Sequence, residues 1–274
     1  MAKINLKKYQ EWLEKRNLSS HTISRYNWGL REYGAEELNT DKVVAFFKKN
    51  LARYEPASLH LHRCALISYA KFKKIKIEWE LIDQIIPGIP LKFFETITEI
   101  ELERLKQAKT RASDATNQRN NLILDFLFYT GMRVSELINI RHCDYQGKKL
   151  KIHGKGNKFR YIPLPDFLAK HFNGSSDYLF KNYRGEKMSD VWIREICYRR
   201  TKKAGLNKQI SPHTFRRSLA TILNKREARL TTIQKILGHS RIDTTAKYIH
   251  NSYEEIYQDY SKLWISSPPQ WQFL

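Results

Sequence analysis

Cysteine is scarce in this chain of 274 residues: Cys64, Cys143 and Cys197 are odd in number and far apart, so neither a disulfide framework nor a CxxC zinc site can be built from them. The expectation for all three is a buried, reduced thiol. Carboxylates are scarce too, with 28 Asp and Glu against 49 Lys and Arg, which leaves a net charge of +21 with the nine histidines neutral. An excess of that size asks for a polyanionic partner. No run approaches the roughly 18 to 20 uninterrupted apolar residues of a spanning helix. The first 20 residues lack the apolar stretch of a secretion signal. A soluble, cytoplasmic protein with no membrane partner is expected. Internal repeats and low-complexity segments are also missing, which excludes a solenoid or a disordered array.

What is present is core material: 41% hydrophobic and 12% aromatic residues in a chain longer than the common domain size of roughly 100 to 200 residues. Two domains are expected. Residues 1–90 carry a net charge of +6 and residues 91–274 one of +15, and basic residues alternate with aromatics, as in KYQEWLEKR and SRYNWGLREY. The charges therefore read as faces of folded elements, and both halves can face an anion. Pro87-Gly88-Ile89-Pro90 stops helix and favours an extended turn, which places a linker over 88–97 between domains at 1–87 and 98–274.

Helical spacing recurs at Leu6, Tyr9, Trp12 and Leu13, then at Ile23, Tyr26, Leu30 and Tyr33 behind a capping Ser19-Ser20 pair. Val43 to Phe47 and Leu59 to Phe72 give two more helices, so 1–87 is expected to be an all-helical domain of four or five helices. After the linker, a helix is expected from Thr98 or Glu99, and a mostly apolar one over 121–129 that ends at Thr130-Gly131. The stretch KKLKIHGKGNKFRYIPLP alternates around a Gly-Asn centre and reads as a β-hairpin, after which helices resume at about Ser189. The fold class is mainly α with a small antiparallel β-sheet.

Four strings carry chemistry: TGMRVSEL at 130–137, GKGNK at 154–158, SPHTFR at 211–216, and LGH at 237–239 followed by TTAKY at 244–248. Together they supply two Arg, three Lys, two His and a Tyr, with no carboxylate cluster for a metal. Breaking a phosphodiester needs cations on the non-bridging oxygens, a nucleophile and a proton donor for the departing oxygen. Arginine suits the first task because its planar fork binds phosphate in two-pronged fashion and stays charged. A tyrosine hydroxyl can serve as covalent nucleophile and conserve the bond energy for resealing.

In this order the strings resemble the tyrosine recombinases, the phage-integrase and Xer-type family, and Asn17-Leu-Ser-Ser-His-Thr22 with Tyr26 and Leu30 is similar to that family's helical core-binding domain. The resemblance implies a two-domain clamp that closes around double-stranded DNA and assembles into dimers and tetramers there. It implies strand cleavage through a 3′-phosphotyrosine and religation by a 5′ hydroxyl, with no metal and no nucleotide cofactor. Carried over residue by residue, Arg133 and Arg216 resemble the two phosphate-binding arginines. Glu136 resembles the acid that orients the site, and Lys155 the hairpin lysine that protonates the leaving 5′ oxygen. His213 resembles the general-base or hydrogen-bonding histidine, His239 the histidine on a non-bridging oxygen, and Tyr248 the nucleophile. Lys158 and Arg160 compete for the lysine role, and Tyr253, Tyr257 and Tyr260 for that of Tyr248, though only Tyr248 follows two threonines at nine residues from His239. Arg217 stands where many relatives carry His and is expected to be structural or DNA-facing. His142, His153, His171 and His250 are left as ordinary surface or packed residues.

Two rivals share these side chains: a type IB topoisomerase that only relaxes supercoils, and a catalytically silent DNA-binding protein of the same fold. The tail from Tyr253 to Leu274 has an apolar face of Ile256, Tyr257, Tyr260, Leu263 and Trp264. Folding back onto its own domain is one way to bury that face; docking into a neighbouring protomer is the other, and the resemblance favours it.

Overall fold

The computed structural model of the chain describes residues 6–34, 37–90, 94–154 and 159–238. It divides into two compact units, Met1–Lys92 and Phe93–Leu274. The described residues are mostly helical and hold one three-stranded antiparallel sheet. None of the described helices is long and apolar enough to cross a membrane.

The first unit has five described helices: α1 (Leu6–Lys15), α2 (Ser20–Tyr33), α3 (Thr40–Asn50), α4 (Pro56–Lys73) and α5 (Trp79–Ile85). Local chemistry sets the starts, since the Ser19 hydroxyl accepts from Thr22 N at 3.2 Å and Asn39 Oδ1 from Lys42 N at 2.9 Å. Their apolar stripes meet in a core of Tyr9, Leu13, Leu30, Val43, Phe47, Leu59, Leu66 and Ile82.

The second unit opens with α6 (Glu99–Gln107), whose start is a reciprocal cap: Thr98 Oγ1 accepts from Glu101 N, and Glu101 Oε2 accepts from Thr98 N. Then follow α7 (Asp114–Thr130), the short α8 (Val134–Leu137), strands β1 (Tyr145–Gln146), β2 (Lys149–His153) and β3 (Phe159–Pro163), α9 (Asp166–Ala169), α10 (Asp190–Lys203), α11 (Pro212–Lys225) and α12 (Leu230–Leu237). Helix α7 begins seven residues before the apolar run that announces it. Ser113 caps Thr116 N, and Asn117 bonds the carbonyls of Thr110, Ala112 and Ser113, so polar chemistry rather than apolar spacing sets its start.

The strands lie in the order β1-β2-β3, with Leu150 opposite Ile162 and Ile152 opposite Arg160. Leu150, Ile152 and Ile162 turn one sheet face into the core beside Leu124, Leu127 and Phe215. At the start of the second unit, Ile97 N donates to Ser218 Oγ at 2.8 Å, and the Arg217 guanidinium lies 3.7 Å from the centre of the Phe94 ring. The first residues of this unit are thus fastened to α11.

The expectation of three buried thiols is corrected: only Cys197 is buried, which pushes its thiol up to about 12, while Cys64 and Cys143 are exposed. On α4 the buried positions are 59, 62, 65, 66, 69 and 70, and residue 64 falls out of that phase. Cys143 sits in a single 3-10 turn, His142–Asp144, that presents it to solvent.

Candidate active site

Helix α7 ends because Gly131 takes up the left-handed conformation at φ +58°, with its N–H donating to Leu127 O. The position is closed to other residues for a second reason: a Cβ there would stand 2.8 Å from Leu219 Cδ2 and 2.9 Å from Leu237 Cδ2. That turn delivers Arg133 as the residue before α8 and Glu136 as the third residue within it. Glu136 is buried, yet both its oxygens are fully used. Oε1 accepts from Arg133 Nη1 and Arg160 Nη1, both at 2.8 Å, and Oε2 from Arg133 N at 2.7 Å and Arg160 Nη2 at 3.0 Å. Burial by itself would raise the Glu136 pKa, but the hydrogen bonds and charge of Arg160, followed by those of Arg133, outweigh it and hold the carboxyl below its ordinary value.

Three guanidiniums then meet the carboxyl end of α12. Arg160 Nε donates to Ile236 O at 3.0 Å, Arg216 Nη2 to Leu237 O, and Arg133 Nη2 to Gly238 O at 3.2 Å. These are carbonyls that a helix end leaves without internal partners, and the negative end of the helix dipole favours cations there. Arg216, 3% exposed, also reaches across to Gly131 O at 2.8 Å. One side chain of α11 therefore ties the end of α7 to the end of α12.

His213 follows Pro212 in the first turn of α11, one turn before Arg216. The residue is exposed at the surface, yet desolvation by the protein around the ring, then the charges of Arg217, Arg216, Arg194 and Arg133, push its pKa below the ordinary histidine value. At neutral pH the ring is uncharged, so it can accept a hydrogen bond or a proton. Among the described residues, no group of three or more His, Cys, Asp or Glu comes together as a metal site.

The structure thus brings Arg133 and Glu136, from one string, together with His213 and Arg216, from another that begins more than 70 residues later. Lys155, His239 and Tyr248 lie outside the described residues, as do Lys158 and the tail from Tyr253. The chain reaches the first two from described positions, since Gly154 ends the β2 side of the hairpin and Gly238 caps α12. Arg160, by sequence a rival to Lys155, is a partner of Glu136. Its signal was the strand period: on β3 it shares a face with Ile162, so a charged side chain there is directed inward and requires a counter-charge. Arg194, whose charge reaches His213, carries no such signal in the sequence, and the main-chain acceptors have no signature in side chains.

Clustered arginines anchored to helix ends, one buried carboxylate that orients them and a histidine of lowered pKa are groups suited to chemistry on an anionic ester, built on a mainly helical scaffold. The chain belongs to the phage integrase family, the tyrosine recombinases, whose family model matches residues 95–255. It is 30% identical over 272 residues to the tyrosine recombinase XerC of Anoxybacillus flavithermus, covering 88% of this chain and 90% of that one. With the tyrosine recombinase XerA of Pyrococcus horikoshii it shares 32% identity over 259 residues, covering 89% of this chain and 87% of that one. In fold it is similar to the XerH site-specific recombinase bound to palindromic difH substrate in a post-cleavage complex, with a TM-score of 0.71 and 22% identity over 92% of this chain and 84% of that one.

Proposed function

We propose that the protein is a site-specific DNA recombinase that works in the cytoplasm on double-stranded DNA. In this reading Tyr248 Oη attacks the scissile phosphorus, the P–O5′ bond breaks, and Lys155 supplies the proton that the departing 5′ oxygen takes up. The 3′-phosphotyrosine keeps the energy of the broken bond, so a 5′ hydroxyl from a partner strand can reverse the step without ATP or metal. Arg133 and Arg216 receive the non-bridging oxygens, His239 adds a contact to one of them, and uncharged His213 accepts a hydrogen bond or proton. The observation that carries this reading is the joint anchoring of Arg133 and Arg216 on the end of α12, directly before residue 239.

The two units, taken as a core-binding domain over 1–87 and a catalytic domain over 98–274 with a linker between, would grip the duplex as a clamp, and a net charge of +21 gives each a share of phosphate contacts. Protomers would assemble as dimers and tetramers on DNA, with the tail from Tyr253 docking into a neighbour. The test is a pool of randomised duplexes, each nicked so that the fragment bearing the new 5′ hydroxyl diffuses away. Covalent protein–DNA adducts should form in EDTA with the parent chain, yield a common sequence, and be lost with Tyr248→Phe while DNA affinity persists. Adducts that need a divalent cation, or that survive in Tyr248→Phe, would refute the mechanism. Relaxation of supercoiled DNA without any recombination would assign the chain to the topoisomerase rival instead.

A further inference from the structure

Arg160 is the second residue of β3, five positions after Lys155 in sequence, yet its side chain works elsewhere. Two of its nitrogens grip Glu136 and the third holds Ile236 O, so it joins the hairpin, the α8 turn and the end of α12. It also lies close against Gly238: a Cβ there would stand 2.8 Å from Arg160 Cδ and 2.9 Å from its Cζ. With φ at +66°, Gly238 is the residue that lets the guanidinium approach the main chain just before position 239.

The charges explain why a second arginine is useful. A single carboxylate paired with Arg133 alone would fix that guanidinium but cancel its charge. With Arg160 sharing the same two oxygens, the trio keeps a net positive charge, and Glu136 is held on both sides so that it cannot turn away from Arg133. Arg160 itself is 16% exposed, and these bonds already occupy all three of its nitrogens.

We propose that Arg160 is a positioning residue for strand cleavage: it holds Glu136 so that Arg133 presents an uncancelled charge to the phosphate, and it fixes the end of α12 from which residue 239 follows. The inference rests on the recombinase reading above. Its loss should slow the chemical step while leaving duplex binding nearly intact.

The test uses the full chain and the duplex recovered from the nicked pool, made in two forms: one with the natural scissile phosphodiester, the other with a methylphosphonate there. The methylphosphonate lacks one anionic oxygen, so it has less need of a guanidinium. Arg160→Met should cleave the phosphodiester roughly 10- to 100-fold more slowly, the scale expected when a reacting group is misplaced. On the methylphosphonate its deficit should shrink to a few-fold, as should that of Arg133→Ala. Arg160→Lys, which keeps the charge and one prong, should fall between parent and Arg160→Met, and it carries the same comparison if thermal melting shows that Arg160→Met does not fold. Parent-like cleavage of the phosphodiester, an equal deficit on both substrates, or a deficit explained by weaker binding would each overturn the inference. Absence of any adduct with the parent chain would instead overturn the recombinase reading and this inference with it.

Discussion

Replacing Glu136 by Gln keeps the shape of the side chain and removes its charge. The carboxylate receives four hydrogen bonds between 2.7 and 3.0 Å, and each oxygen serves one donor from Arg133 and one from Arg160. An amide offers one acceptor oxygen and one NH2, so whichever way it turns, two of the four donors face an NH2. Hydrogen bonds to charged groups contribute about 1.5 to 3 kcal/mol each. Because the Arg133 side chain is 39% exposed while that of Glu136 is 3% exposed, water recovers part of the Arg133 share. A net loss of about 3 kcal/mol follows, at the low end of what removing one partner of a buried pair costs. For a unit of this size that corresponds to a fall in Tm of roughly 6 to 12 °C. The pH dependence fixes the cause. A carboxyl whose folded-state pKa is lowered contributes stability above its unfolded value and loses it as the pH falls through the folded one. The difference between parent and Glu136→Gln should therefore be complete at pH 7 and close on the acid side of the ordinary carboxylate range, read by thermal melting across pH. Equal melting at pH 7, or a gap that stays constant into acid, would refute the account.

Arg216→Ala should lower single-turnover cleavage by roughly 10² or more, the scale of losing a preorganised donor to developing charge. It should also destabilise the fold by about 1 to 3 kcal/mol for each main-chain acceptor that stays dry, here Gly131 O and Leu237 O, as measured by urea unfolding. Gly131→Ala forces an alanine to φ +58° and a methyl against Leu219 and Leu237. Conformational strain of about 1 to 2 kcal/mol with a further 1 to 3 kcal/mol of overpacking should lower the urea midpoint clearly, and an unchanged midpoint would contradict the packing. In the DNA-free protein, an NMR titration of His213 should have its midpoint below that of an ordinary histidine, and Arg217→Gln should move it upward by removing the foremost of the four cations; a midpoint at or above the ordinary value would refute that electrostatic assignment.

Much of the fold was legible because its signals are local. Ser19, Thr98 and Ser189 announce helix starts through side chains that reach their own next turn, and the alternation on either side of the Gly-Asn centre marks β2 and β3. Strand β1 and helix α9 were not anticipated, since two and four residues are too few for a period to register. In the site, Arg133, His213 and Arg216 stood out by type and by the order of their strings, and Glu136 through the resemblance to the tyrosine recombinases. The partners that hold them did not, because a carbonyl at a helix end belongs to whatever residue happens to be there. Arg200 makes the same point away from the site: it is fully buried, and it bonds the uncharged oxygens Lys106 O and Asn117 Oδ1, a role that no spacing in the sequence suggests.

The anchoring of the three arginines on α12 has a genetic consequence. Substitution cannot delete a carbonyl oxygen, so changes at Ile236 or Leu237 that preserve the path of the helix leave the acceptors for Arg160 and Arg216 in place. Those two positions can drift among apolar residues without touching the arginine contacts. Heritable damage to the array is concentrated where a side chain, or the lack of one, does the holding: at Glu136, the single carboxylate that Arg133 and Arg160 share, and at Gly131 and Gly238, where any Cβ collides.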